Sequence, residues 1–144
     1  MVYISRSTLG ICALVSSVAA SNPNEIFYLA NCSPCVITDN NCKFTRSTIA
    51  YYPKQSASEN GEYPADIVQS STVIAWEGIT VSGLFSTTDT FSATIRSDAK
   101  PKKLYELVGT GSTSKHAFNC YHDQNRILYK DGKDYCYPQY YCQS

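Results

Sequence analysis

The clearest alternation of apolar and polar residues lies in two segments near the middle of the chain, 79–84 and 90–95. In each segment apolar residues or glycine mostly occupy every second position, with serine or threonine between them. A period of two is typical of a β-strand that buries one face. Because the polar stretch 86–89 separates the two segments, the pattern predicts a β-hairpin.

Other strands are predicted from apolar runs that do not alternate. Segments 25–31 and 46–52 are rich in strand-forming residues, and 72–77 contains the consecutive apolar residues typical of a central strand. The polar segment 54–63 predicts a surface loop. A helical turn is expected at 65–69, directly after a proline.

Three apolar and aromatic runs follow one another at the end of the chain, at 116–121, 126–130 and 133–137. We expect a three-stranded meander with the second run in the middle. Asp131 and Gly132 separate the last two runs and suit the central positions of a two-residue type I′ turn. The predicted fold class is therefore mainly β, a small antiparallel sheet or sandwich, with room for one short helix.

The segment before this tail is ambiguous. Residues 104–108 fit either a strand or a short helix. The sequence Gly-Thr-Gly-Ser at 109–112 is expected to break that element, because glycine weakens strands and helices alike.

The first twenty residues have the features of a secretory signal peptide. Arg6 precedes an apolar run, and Val18-Ala19-Ala20 provides the small residues of a cleavage site before Ser21. The run is too short and too weakly apolar to span a bilayer. We expect a signal peptide over residues 1–20 and a single disulfide-rich β domain over residues 21–144, secreted to the extracellular space.

Six cysteines remain after removal of the leader, three in the first part of the mature chain and three in its tail. They are Cys32, Cys35, Cys42, Cys120, Cys136 and Cys142. An even number in an oxidising compartment predicts three disulfides. The pairing that we favour is Cys35–Cys42, Cys32–Cys142 and Cys120–Cys136. The predicted meander would separate the last two cysteines by two strands, so either this pairing or the meander must be wrong.

Other uses of these cysteines are disfavoured. Cys32-Ser33-Pro34-Cys35 has the spacing of a thioredoxin-like redox motif, but only eleven mature residues precede it and helix propensity after it is poor. Zinc binding would require a second closely spaced Cys or His pair. We therefore expect no metal and no cofactor.

Charge excludes further classes of partner. The leader contains one of the 12 basic residues and none of the 12 acidic ones, which leaves 11 against 12 in the mature chain. Non-specific nucleic-acid binding needs a basic field, so no nucleic-acid partner is expected. No second apolar segment approaches spanning length, and we expect a monomer without a membrane span.

Acid–base chemistry has four candidate residues, Glu77, His116, His122 and Arg126. A small secreted ribonuclease combines a carboxylate base, a histidine acid and a guanidinium that holds the phosphate, and Glu77, His116 and Arg126 could supply these groups if folding brings them together. Their order does not match guanyl-specific ribonucleases, so no roles are transferred. A surface position for His116 and Arg126 is the simpler interpretation.

Tyrosine is abundant in the tail, where six of the twelve fall between Tyr121 and Tyr141. About half should pack inward, and the others suit a recognition surface because tyrosine supplies contact area and a hydroxyl at low entropic cost. Tyr137, Tyr140 and Tyr141 are the predicted contacts to a protein or glycan. Asn31 heads a formal glycosylation sequon, which stays unmodified if Asn31 pairs within its strand.

Four features together carry a resemblance: the leader ending at 18–20, the strand at 26–32, the segment 76–83 and the cysteine- and tyrosine-rich tail 118–142. The chain resembles the small secreted cysteine-rich proteins of filamentous fungi. This resemblance implies a non-enzymatic, effector-like binding protein that acts on a host or competitor through an unknown extracellular protein or glycan. The alternatives are a ribonuclease-like hydrolase and a membrane-perturbing toxin, the latter weakened by the lack of an amphipathic or basic helix.

Overall fold

A computed structural model describes residues 24–38 and 41–144. The predicted signal peptide lies outside the described residues. The described chain contains nine strands and one five-residue helix. In chain order they are β1 (Ile26–Ser33), β2 (Arg46–Tyr52), α1 (Gln55–Glu59), β3 (Asp66–Ser70), β4 (Thr80–Leu84), β5 (Thr90–Ile95), β6 (Leu107–Ser112), β7 (Ala117–His122), β8 (Tyr129–Asp131) and β9 (Asp134–Gln143).

The strands form one antiparallel sheet in the order β3-β2-β1-β9-β7-β6-β5-β4, and β8 pairs with β9 outside this path. The sheet curls until its two end strands meet. Val68 of β3 lies over Gly83 of β4, where an added Cβ would come within 3.1 Å of the valine. Asp66 accepts hydrogen bonds from the backbone N–H and the hydroxyl of Ser86, at 3.1 and 2.6 Å. The predicted mainly β fold is confirmed as a nearly closed barrel.

Strand β1 lies in the middle of the sheet and is buried along its whole length. Phe27 and Leu29 point into the barrel, whereas Tyr28 and Ala30 belong to a second apolar cluster on its outside. Burial on both faces explains why this strand shows no alternation in the sequence.

The barrel interior is filled mainly by aromatic side chains. Phe27 stacks on Phe91 with ring centroids 3.9 Å apart, and Phe85 and Phe118 meet Phe27 edge-on at 5.6 and 5.3 Å. These are favourable aromatic geometries. Trp76 is 2% exposed and fills another part of the same core.

Outside the barrel, α1 and β8 cover β1 and β2. Leu128 and Tyr129 pack with Tyr28 and Tyr52 in the outer cluster. The hydroxyls of Tyr28 and Ser58 of α1 lie 2.7 Å apart and form a buried hydrogen bond. The short helix therefore closes the outer cluster, although the sequence predicted a loop at this position.

The hairpin at 79–84 and 90–95 is confirmed by the pairing of β4 with β5. The predicted central strand at 72–77 is wrong, because only Glu77 in this segment forms a bridge, an isolated one to Ile95. Within this segment only Trp76 is buried: it packs into the barrel and donates its indole N–H to Asn31 Oδ1 at 3.0 Å. The helical turn expected at 65–69 is also wrong, since this stretch forms β3.

The tail differs from the predicted meander. Strand β9 pairs with β1 on one side and with β7 on the other, and the short β8 pairs only with β9. Asp131 lies opposite Asp134, so Gly132 and Lys133 occupy the turn and the register is shifted from the predicted one. The ten-residue length of β9 allows it to join both halves of the barrel.

Three disulfides are present within residues 24–38 and 41–144, as predicted, but two of the three predicted pairings are wrong. The structure contains a long bridge (Cys32–Cys136), a front bridge (Cys35–Cys42) and a tail bridge (Cys120–Cys142). The long and tail bridges each join directly opposite residues of paired strands, with Cα atoms 4.0 Å apart. The predicted conflict is resolved because both the meander and the two pairings were wrong.

Candidate functional site

The three residues considered for ribonuclease chemistry lie apart. Glu77 accepts a hydrogen bond from the hydroxyl of Tyr140 near the end of β5. His116 follows β6 at the opposite end of the barrel, where it contacts Glu25. Arg126 lies outside the barrel against the ring of Tyr28. The structure therefore does not assemble Glu77, His116 and Arg126 into one site.

His116 lies instead at the rim of a cavity of about 460 Å³ at one end of the barrel, which we call the barrel mouth. Phe27, Phe85 and Phe91 line its floor. The rim residues include carboxylates and hydroxyls from the β4–β5 and β6–β7 loops, among them Asp89 and Ser114. The mouth has the volume of a small-molecule pocket, which typically spans about 300–1,000 Å³.

Glu25 is the central polar residue of the barrel mouth. Its carboxylate accepts a hydrogen bond from the Tyr51 hydroxyl at 2.9 Å and lies 3.2 Å from Nδ1 of His116. Burial, together with the adjacent Glu25, raises the pKa of Tyr51 to about 12, so its hydroxyl stays a donor. A carboxylate that orients an imidazole is an arrangement able to transfer protons. Glu25 was not predicted, because it has no motif and directly precedes β1.

Two of the three tyrosines predicted to bind a partner are buried in the structure. Tyr137 is 2% exposed and its hydroxyl accepts a hydrogen bond from the backbone N–H of Ile37 at 2.9 Å. Tyr140 is 1% exposed, and burial next to Glu77 raises its pKa. Of the three, only Tyr141 lies on the outside and is partly exposed.

Tyr141 belongs to a row of side chains that crosses four adjacent strands, which we call the tyrosine row. Tyr28 of β1 pairs with Tyr141, Tyr141 pairs with Tyr121 of β7, and Tyr121 pairs with Leu107 of β6. The rings of Tyr141 and Tyr121 stack with centroids 5.2 Å apart. The row passes from the buried Tyr28 to Leu107, which is 49% exposed, and Tyr105 lies beside it at 55% exposure.

A groove of about 310 Å³ opens along the buried end of the tyrosine row. We call it the tyrosine groove, and its lining includes Tyr28, Tyr105, Asp123, Gln124, Arg126 and Tyr141. Helix α1 contributes the polar side chains of Gln55 and Glu59 to its edge. Five separate parts of the chain thus converge on this groove.

Asp123 has an unusual environment in the tyrosine groove. Asp123 is 6% exposed, and its Oδ1 accepts a hydrogen bond from the backbone N–H of Gln124 at 2.7 Å. Oδ2 is buried and has no hydrogen-bond partner among the described residues. Nη2 of Arg126 lies 4.0 Å from Oδ2, which is too far for a hydrogen bond. Burial raises the pKa of Asp123, against the opposing effects of the Gln124 N–H and Arg126.

Asn31 does not offer a site for a glycan in the folded protein. Asn31 is 7% exposed, and its Oδ1 accepts hydrogen bonds from the Ser47 hydroxyl at 2.7 Å and from the indole N–H of Trp76. Cys32, the middle residue of the sequon, is held in the long bridge. The side chain therefore serves the packing of the barrel.

Carboxylates near the tail hairpin are paired with an arginine. Arg46 binds Asp131 at 3.1 Å and Asp134 at 3.0 Å. Within residues 24–38 and 41–144, no group of three or more His, Cys, Asp or Glu side chains is arranged to hold a metal ion.

Comparisons of the chain with protein-family models, with curated proteins and with solved structures found no match. In the part of the chain that the structure describes, no helix is long and apolar enough to cross a membrane. The features of the molecule that bear on its function are the tyrosine row, the tyrosine groove and the barrel mouth.

Proposed function

We propose that this chain is a secreted, effector-like binding protein that acts on a host or competitor by binding and not by catalysis. The observation that carries the proposal is the exposed end of the tyrosine row. Tyr105 and Leu107 are about half exposed there, next to the partly exposed Tyr121 and Tyr141. Contiguous exposed aromatic and apolar side chains are typical of interaction surfaces.

The scaffold around this surface supports the same proposal. Strand β9 is joined to β1 by the long bridge and to β7 by the tail bridge. These three strands carry the tyrosines of the row, so its backbone is held by covalent links as well as by the sheet. A rigid surface loses little conformational entropy when it binds a partner. Three disulfides also suit a protein that works outside the cell.

The test compares two double variants with matched exposure. Tyr105→Ser with Leu107→Ser alters the exposed end of the row, and Tyr63→Ser with Leu84→Ser removes equally exposed side chains elsewhere. The oxidised mature protein is labelled with a fluorophore, and its retention on intact plant, fungal and bacterial cells is measured by flow cytometry. We expect the first variant to lose most of the retention and the second to keep it. Wild-type protein that binds none of the cells, or equal loss in both variants, would refute the proposal.

A ribonuclease-like hydrolase is the second candidate, favoured by the Glu25–His116 pair at the barrel mouth. Cleavage of a labelled single-stranded RNA should then fall at least a hundredfold in Glu25→Gln and in His116→Ala. Glu77→Ala and Arg126→Ala are the controls, because these residues lie away from the mouth. No cleavage by the wild type removes this candidate.

A membrane-perturbing toxin is the third candidate and has the weakest support. The helix α1 has five residues, too few for a stable amphipathic surface helix. Release of a dye from vesicles that contain anionic lipids would measure this activity directly. Leakage at micromolar protein would contradict the binding proposal.

A further inference from the structure

We propose that the tyrosine groove binds a neutral saccharide. The inference rests on the proposed function, because it assigns a chemical class to the partner of the same surface. It begins with the buried Oδ2 of Asp123, which lacks a hydrogen bond within the described residues. Leaving a buried charged acceptor unsatisfied costs about 1–3 kcal/mol or more, so such a group points to a missing partner.

The gap between Asp123 and Arg126 suits a hydroxyl group. A hydroxyl can donate its proton to Oδ2 of Asp123 and accept a hydrogen bond from the guanidinium, whereas an amide N–H or a carbonyl can satisfy only one of them. The Tyr28 hydroxyl, which lies 3.3 Å from Arg126, is already shared with Ser58 at 2.7 Å. The bridging hydroxyl therefore comes from a ligand, or from a water molecule that the ligand displaces.

The aromatic walls of the groove suit the apolar face of a sugar ring. Tyr105 and Tyr141 both line the groove, with ring centroids 6.4 Å apart and planes tilted by 59°. Sugar rings present C–H groups on one face and hydroxyls around their edge, so they pack on aromatic rings while their hydroxyls bond to polar neighbours. Burial raises the pKa of Tyr141 to about 12, and its hydroxyl therefore stays neutral and able to donate.

The charge of the groove favours a neutral ligand. Among the described lining residues Arg126 is the one cationic side chain; it lies 4.0 Å from Asp123, and Glu59 is a second carboxylate in the lining. A phosphate or a uronic acid would meet two carboxylates for one guanidinium, which disfavours anionic ligands. Gln55 and Gln124 add amide donors and acceptors at the edge. The volume of about 310 Å³ is at the low end of ligand pockets, so the groove fits a small part of a longer glycan.

The test titrates the ¹⁵N-labelled oxidised protein with cellohexaose, chitohexaose, xylohexaose and mannohexaose, followed by amide NMR spectra. At least one hexasaccharide should give saturable shifts of Tyr105, Gln124 and Tyr141. Asp123→Asn should weaken this binding about tenfold, because a hydrogen bond to a charged acceptor is roughly twice as strong as one to a neutral acceptor. Asp98→Asn is the matched control, since Asp98 is exposed and pairs with Arg96 away from the groove.

Each outcome decides between the two proposals. If no hexasaccharide binds, or if Asp123→Asn and Asp98→Asn bind equally well, the saccharide inference is wrong. Should cell binding still depend on Tyr105 and Leu107, the proposed function stands and the partner is a protein. If the folded wild type neither binds a hexasaccharide nor is retained on cells, both proposals are refuted. A thermal melt of Asp123→Asn no lower than that of the wild type ensures that weaker binding reflects lost contact, not unfolding.

Discussion

Removing each disulfide separately should reveal an order of stability that follows from the connectivity. The perturbation is the replacement of both cysteines of one bridge by alanine, which leaves no unpaired thiol behind. The sequence separations are 104 residues for the long bridge, 22 for the tail bridge and 7 for the front bridge. A disulfide lowers the entropy of the unfolded chain more when it closes a longer loop.

The loop-closure relation turns these separations into energies at 25 °C. The long bridge contributes about 4.7 kcal/mol, the tail bridge about 3.4 kcal/mol and the front bridge about 2.4 kcal/mol. All four cysteines of the long and tail bridges are 0% exposed, so their replacement also removes buried contacts. The front bridge is less buried, because Cys35 is partly exposed and Cys42 is 8% exposed, so its replacement removes fewer buried contacts. Against a total stability of about 5–15 kcal/mol, loss of the long bridge should be close to the limit for folding.

Urea unfolding of the three double variants, followed by tryptophan fluorescence, measures the order, and a thiol assay after denaturation tests the pairing. Cys32→Ala with Cys136→Ala should contain no free thiol, because Cys120 and Cys142 still pair. Under the pairing that the sequence favoured, the same variant would break two bridges and leave two thiols. Free thiols in this variant, or a front bridge that matters more than the long one, would refute the reasoning.

Three further predictions concern access, packing and charge. Mild reductant followed by alkylation and peptide mapping should modify the front bridge first, and earlier labelling of either buried bridge would contradict the structure. Gly109→Ala should prevent folding or lower the free energy of unfolding by several kcal/mol, because its Cβ would lie 2.3 Å from a backbone oxygen. Gly83→Ala would meet only the side chain of Val68 and should lower the free energy of unfolding, measured in urea, by about 1 kcal/mol. Burial raises the pKa of Asp123, so ionisation of this carboxyl opposes folding. The variant Asp123→Asn should therefore be about 1 kcal/mol more stable than the wild type at pH 7, and this gain should disappear as the pH falls toward 3.8. A variant less stable than the wild type at pH 7 would contradict this prediction.

The strands that the sequence predicted correctly are those whose local pattern matched their environment. The β4–β5 hairpin has one buried face and shows the period of two that this requires. The segment 72–77 misled the prediction because its consecutive apolar residues do not share one environment: Val73 and Ala75 are exposed, whereas Trp76 is buried. Its tryptophan is buried by packing into the barrel, outside any strand.

Strand β6 shows the opposite error, since its Gly-Thr-Gly-Ser segment was expected to break the chain. Gly109 and Gly111 lie close to the neighbouring strand β5, and a Cβ at Gly111 would lie 2.9 Å from the ring of Phe91. The glycines therefore make room for an aromatic core within a strand. The strand propensity of nearby residues cannot predict this contact, because Phe91 lies about twenty residues before Gly111 in the chain.

The candidate site was predictable only in part. Sequence analysis singled out Tyr141, His116 and Arg126, and the structure places each of them at a groove or cavity. The tyrosine row was missed because it depends on the registers of three strand pairs, each set by contacts distant in the chain. Asp123 carries no local signal, since an unsatisfied carboxylate is a property of its surroundings.

A β-bulge in β9 connects these features. The register of β9 on β1 shifts between Leu29 and Ala30, whose partners are Tyr140 and Pro138, so Gln139 is the extra residue. Proline lacks a ladder N–H and is tolerated at such a bulge. Without the extra residue, the period of two would place Tyr137 on the same face as Tyr141.

The bulge also contributes to the groove. The carbonyl of Gln139 accepts a hydrogen bond from the backbone N–H of Asp123 at 3.0 Å, which holds the start of the β7–β8 loop beside Tyr141. One inserted residue thus places the buried Tyr137 opposite Asn31 and brings Asp123 to the groove. Deleting Gln139 would restore the regular ladder and disturb both, so the bulge links the stability of the barrel to the geometry of the proposed saccharide site.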